Sequence, residues 1–156
     1  MTSTALSRMA IGMAAAALVL GLPGTLQAKD FIKGDRPQQR GYSMAVITEG
    51  GRTVWLAGQT ATVDDAGKSL ASDLDGQVRQ IFKNLDRVLQ QAGGKLSDMV
   101  QMTVFITDVR YGDRVTQLRR EILGDNFPGS ALITITALAN PDAKLEIQGY
   151  AVIGGR

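Results

Sequence analysis

The sequence predicts an α+β domain in the order β-β-α-β-α-β-β, a mixed sheet with two amphipathic helices on one face. Two observations carry this. Ser130 to Leu138 and Leu145 to Ile153 alternate between apolar and semi-polar residues for longer than a loop would, the period of two expected of strands with unlike faces. Between Asp73 and Ala92, Leu74, Val78, Ile81, Leu85, Val88, Leu89 and Ala92 recur at helical spacing.

Taken in order, Met1 to Ala28 reads as a secretory signal peptide. Arg8 gives the basic start, Met9 to Leu22 the apolar run, and Leu26-Gln27-Ala28 a cleavage site before Lys29. The run falls short of the about 20 residues that a membrane span needs. The mature chain would then be one domain, residues 29–156, exported to a bacterial periplasm and without membrane attachment after cleavage. Lys29 to Arg40 is polar, with Gly34 and Pro37, and reads as an exposed entry segment.

Tyr42 to Thr48 and Thr53 to Ala57 read as a β-hairpin closed by Glu49-Gly50-Gly51-Arg52. Thr62 to Ala71 is a loop. Ser72 is the expected N-cap of the first helix, with Asp75 three residues on, and Gly93-Gly94 stops it. Met99 to Thr107 alternates again, with Val100, Met102, Val104 and Ile106 on one side. Asp108 caps a second helix near Tyr111 to Leu123, with Tyr111, Val115, Leu118 and Ile122 as its apolar positions.

On the last two strands Ile133, Ile135, Ala137, Leu145, Ile147 and Ala151 are expected on the core face. Thr134, Thr136, Glu146, Gln148 and Tyr150 then fall on the other. With Met99, Gln101, Thr103 and Phe105, that second face is too apolar for water, and two helices can cover only one face of a sheet. Packing of these faces in a closed homo-oligomer would resolve the mismatch and place pockets between subunits. Glu146, a carboxylate in mid-strand, is the odd residue on it.

Composition removes several kinds of chemistry. The chain has no Cys and no His, so there is no thiol nucleophile, no imidazole base and no common zinc site. The formal charge is +2 and falls by one with Arg8, which is not the footprint of a nucleic-acid binder. Chemistry is left to carboxylates, hydroxyls, Tyr, Arg, Lys and backbone amides.

The motif order resembles the RidA/YjgF family of imine deaminases over nearly all of the mature chain. The matching residues are Gly41-Tyr42-Ser43 with Ala45-Val46, Ala57-Gly58-Gln59, the helix with Gln77, Asn84-Leu85, Val88-Leu89 and Ala92-Gly93, then Val104 to Asp108, Gly124-Asp125-Asn126 with Pro128, and Leu145-Glu146-Ile147. The resemblance implies a chorismate-mutase-like fold, a homotrimer with small-molecule sites at its interfaces, and hydrolysis of amino-acid-derived enamines or imines without metal or organic cofactor. It implies that Glu146 positions the attacking water, that Tyr42 walls the pocket and that the Gly58 N–H lines it.

The family's Pro-x-Arg arginine, which grips a substrate carboxylate, is absent, because Pro128-Gly129-Ser130 puts Ser130 in its place. Ala57 stands where serine is usual, Thr116 where asparagine is common, and one residue is added in the Ala139 to Ala143 turn. A charge-assisted bidentate contact far exceeds the about 1 kcal/mol of one neutral hydrogen bond. Binding of a small metabolite, with 2-imino acid deamination weak or lost, is therefore the expectation; imine or enamine hydrolysis through Glu146 is the alternative. An arginine of a neighbouring subunit, Arg119 or Arg120, would be the substitute for the missing cation. Ribonuclease activity, a name carried by relatives, does not fit the near-neutral charge, the few aromatics and the absence of His.

Overall fold

The computed structural model describes residues 29–155. The signal peptide expected at Met1 to Ala28 lies outside them. A small antiparallel pair, β1 (Asp30–Ile32) with β2 (Ala45–Ile47), flanks the short helix α1 (Asp35–Gln39). The main sheet holds β3 (Arg52–Gln59), β4 (Met99–Ile106), β5 (Gly129–Thr134) and β6 (Leu145–Ile153) in the order β3-β6-β4-β5. Helices α2 (Leu74–Gln91) and α3 (Gly112–Leu123) cover one face of it.

Only the β4–β5 pair is parallel within the main sheet, and α3 is the crossover that a parallel pair requires. The core lies between helices and sheet: Val78, Ile81, Leu85 and Leu89 from α2 and Val115 and Leu118 from α3 meet Met102, Val104 and Ile106 of β4 and Leu145 and Ile147 of β6. Gln77 is the polar member of this layer. Its Nε2 donates to the carbonyls of Leu70 (2.9 Å) and Asp142 (2.8 Å), and its Oε1 accepts from the Lys144 N–H (2.8 Å). The amide thus satisfies itself while tying α2 to the start of β6.

The expected elements form with five corrections. The hairpin does not: β3 pairs with β6, and β2 turns back onto β1 in the segment expected to be an exposed entry. Phe31 lies opposite Val46, giving that segment an apolar partner. Gly50 and Gly51 turn the chain at φ 63° and 77°, and Gly51 packs against the backbone of Gly155 too closely for a Cβ.

The N-cap of α2 is Asp73 and not Ser72. Asp73 has extended backbone, and its Oδ1 accepts from the Gly76 N–H at 2.9 Å. Val88 turns to the outer side of α2, with Phe82 buried instead. An irregularity of register between Met99 and Gln101 turns Met99 into the core, 2 % exposed, when simple alternation would put it outside.

The fifth correction exchanges the faces of β5. Its parallel register sets Leu132 beside Val104 and Ile133 beside Phe105, so Leu132 faces the helices and Ile133, 43 % exposed, faces out. Thr134 aligns with the buried Ile106, and the strand ends there, leaving Ile135 to Leu138 outside it. Strand period fixes which residues share a face, but the pairing register decides which face is the core. The uncovered face is as expected on β6 and β4: Glu146, Gln148 and Tyr150 beside Phe105, Thr103 and Gln101, joined by Ile133 and Trp55.

Candidate functional site

Glu146 is the second residue of β6, where Leu145 and Ile147 on either side are fully buried and force its side chain onto the uncovered face. In β3, Ala57 and Gly58 together stand opposite the single residue Gln148, because Leu56 pairs with Gly149 and Gln59 with Ile147. This is a β-bulge, which re-aims the strand locally. The carboxylate of Glu146 lies in the space the bulge opens. An ideal Cβ on Gly58 would fall 1.8 Å from Glu146 Oε1, so only glycine leaves room for the acid. Ala57 beside it is exposed. Among the described residues the carboxylate has no hydrogen-bonding or ion-pair partner, and Phe105 is its neighbour across the pair.

Tyr42, Thr116 and Ser130 meet elsewhere. With Arg40, Arg119 and Leu132 they line a cavity of about 200 Å³ at the β5 edge of the sheet. Ser130 aligns with Met102 and so points toward α3, on the opposite pleat from Glu146, whose partner is Phe105. Within one protomer the expected site residues therefore fall into two separate groups, Gly58 with Glu146 on the uncovered face and Tyr42, Thr116 and Ser130 at the edge.

The edge cavity holds the residue whose position sequence reasoning misassigned. Arg119 was expected as a substitute only from a neighbouring subunit, yet it reaches Ser130 within its own chain: Nη1 donates to Ser130 Oγ at 2.7 Å and Nη2 to the Arg40 carbonyl. Arg119 as a residue is 2 % exposed. Burial pushes its pKa down to about 10, the neighbouring Arg40 charge adds to the depression, and Tyr42 opposes it. It remains a cation at neutral pH. Its Nε–H is buried without an acceptor, as are the hydroxyls of Thr116 and Ser43.

The available signal was spacing. Thr116 and Arg119 are three residues apart and share a helix face, so if Thr116 lines the site Arg119 does too. Arg120 instead lines a separate cavity of about 480 Å³ with Gln38, Gln117 and Asp125.

Comparison with known proteins agrees with this architecture. The family model described as Endoribonuclease L-PSP matches residues 34–153. The human protein named 2-iminobutanoate/2-iminopropanoate deaminase is 26 % identical over 113 residues, 72 % of this chain and 80 % of that protein. A RutC family protein of Aquifex aeolicus is 32 % identical over 112 residues, 71 % of this chain and 87 % of that protein.

Among solved structures, a Rid-family protein of unknown function from Yersinia pestis superposes with a TM-score of 0.65 at 28 % identity, over 74 % of this chain and 89 % of its own. A member of the YjgF/YER057c/UK114 family from Mycobacterium tuberculosis superposes with a TM-score of 0.57 at 26 % identity, over 81 % of this chain and all (100 %) of its own. The order of motifs, the sheet with its covering helices and these matches place the chain in the RidA/YjgF family, which the matching model describes as Endoribonuclease L-PSP.

Proposed function

We propose that this RidA-family chain is exported and binds a small metabolite in pockets formed between copies of itself, and that hydrolysis of ordinary 2-imino acids is weak in it. The observation that carries the reading is Glu146, an unpaired carboxylate beside Gly58 on an uncovered apolar face, in a chain whose strand-borne clamp position holds Ser130. A carboxylate so placed can take a proton from a water whose oxygen attacks an imine carbon, and can pass that proton to the imine nitrogen as it becomes the leaving ammonia. The second copy supplies what one chain lacks: laid against the uncovered face, its Tyr42–Thr116–Ser130 edge would close a pocket over Glu146.

The fold and the names of the deaminase relatives support the imine or enamine as reacting group. The Ser130 replacement supports slow turnover, because no cation on β5 itself holds the substrate against the acid.

The test is ammonium release from 2-iminobutanoate, generated in situ, and from imines without a carboxylate. The expected outcome is slow release by the wild type and at least about a hundredfold further loss in Glu146→Gln, in line with general acid–base contributions. Release equal to that of the human relative would refute weak turnover, and release undiminished in Glu146→Gln would refute the role of the acid.

A further inference from the structure

We propose that the cavity between α1 and α3 binds a short peptide, two or three residues long, by both of its free termini. This cavity shares no residue with the Glu146 face or with the cavity beside Ser130, so the site goes beyond the reading above.

Three unsatisfied groups in its wall carry the assignment. Arg120 and Asp125 both line it, and among the described residues neither is in an ion pair, with the other or with a third residue. Glu121 in the same wall is already engaged: Arg79 takes its Oε2 at 2.8 Å and Gln117 donates to its Oε1 at 3.2 Å. The third group is Gln38 on α1, whose Nε2 is buried without an acceptor.

The two charges are held by the local backbone. An ideal Cβ on Gly41, at φ 67°, would fall 2.7 Å from Arg120 Cγ, so the glycine makes room for the stem that carries the guanidinium. Asp125 follows Gly124, the C-cap of α3, where the negative end of the helix dipole adds to its attraction for a cation.

An inorganic anion or a simple amine would satisfy one of these charges and meet its own sign at the other. A zwitterion satisfies both, each through a charge-assisted bond. A cavity of about 480 Å³ is in the range of drug-sized ligands and larger than a single amino acid fills. A short peptide offers a carboxylate to Arg120, an ammonium to Asp125 and, between them, a backbone carbonyl to the idle Gln38 donor. Phe127, buried at the wall, suits a small apolar side chain.

The experiment is calorimetric titration of the purified full chain with L-alanyl-L-alanine, with its N-acetyl derivative and with its C-terminal amide. The wild type should bind the free dipeptide at least about tenfold more tightly than either blocked form, the minimum expected for hydrogen bonds to a charged group. Arg120→Gln should bind the dipeptide no better than the amide while still preferring it to the N-acetyl form, and Asp125→Asn should show the reverse. Both side chains are exposed, so neither change disturbs the core.

Equal affinity of the wild type for the three compounds, or no binding of the dipeptide at millimolar concentration, overturns the proposal. So does a folded Arg120→Gln that keeps its preference for the free carboxylate. If a variant does not fold, the wild-type comparison decides alone. Glu146→Gln should bind the dipeptide as the wild type does, whatever its ammonium release, so failure of either reading leaves the other standing.

Discussion

Gly58 and Glu146 contend for the same small volume, and the bulge in β3 gives it to the acid. An added methyl at Gly58 would sit 1.8 Å from Oε1, and the three atoms nearest to it all belong to the Glu146 side chain, so it displaces a flexible side chain first and leaves the sheet in place. Gly58→Ala is therefore expected to fold with a stability within about 1 kcal/mol of wild type, far less than the 1–3 kcal/mol of overpacking a closed core. It should lose most of whatever ammonium release Glu146 supports. Denaturant midpoints and release rates measured together check this; loss of folding, or unaltered release, would show that the acid does not occupy the bulge.

Glu146 was legible in the sequence because a carboxylate between two buried aliphatics breaks the pattern of its strand. Arg119 was not legible in its true position. A helix arginine ordinarily reads as solvated, and what it bonds is the carbonyl of Arg40, the last residue of the segment that the sequence presents as polar and exposed.

At the scale of elements, α2 and the strands β4 and β6 were legible because each carries enough apolar residues at one period to fix its exposed and buried sides. The chain between β3 and α2 is held by a different device. Asp65 anchors this loop to α2 through Arg87 and Lys83, with Gln80 Nε2 donating at 2.7 Å.

The Arg87 bond above all, then Lys83, holds its carboxyl well below the usual carboxylate range, against the smaller effect of burial. A carboxylate with a depressed folded pKa contributes stability above its ordinary pKa, and that contribution is lost as the pH falls through the folded value. Protection of the loop amides in hydrogen exchange is thus expected at pH 6 and should fade from about pH 4 downward, before the core strands open. Asp65→Asn should abolish the extra protection already at pH 6. An Asp65→Asn loop that exchanges like wild type at pH 6 would mean that the clamp carries nothing.

For the whole molecule, the order of elements was readable but the pairing of β2 and β3 was not, since periodicity names a strand's faces and never its partner. The same limit applies to what covers the outer face, and there the exposed aromatics give a direct probe. Trp55, the only tryptophan, is 75 % exposed and meets Tyr150 edge-on, with ring centroids 4.7 Å apart. With Phe105 and Ile133 they form an apolar surface across three strands and β5, of the kind that marks an interaction site.

If copies of the chain join through this face, Trp55 passes from water into an interface and its emission reports the event. The wild type should have three times the protomer mass by light scattering and a blue-shifted tryptophan emission that moves red on dilution or in mild denaturant. Tyr150→Glu puts a charge into the joint while keeping the fluorophore, and should yield single chains with red-shifted emission. Because Glu146 and Ser130 lie on opposite pleats of one sheet, the same variant should also lose turnover, although both residues are intact. Retention of full turnover by a Tyr150→Glu protein shown to be a single chain would mean that one protomer holds a complete site, contrary to the geometry of β5 and β6.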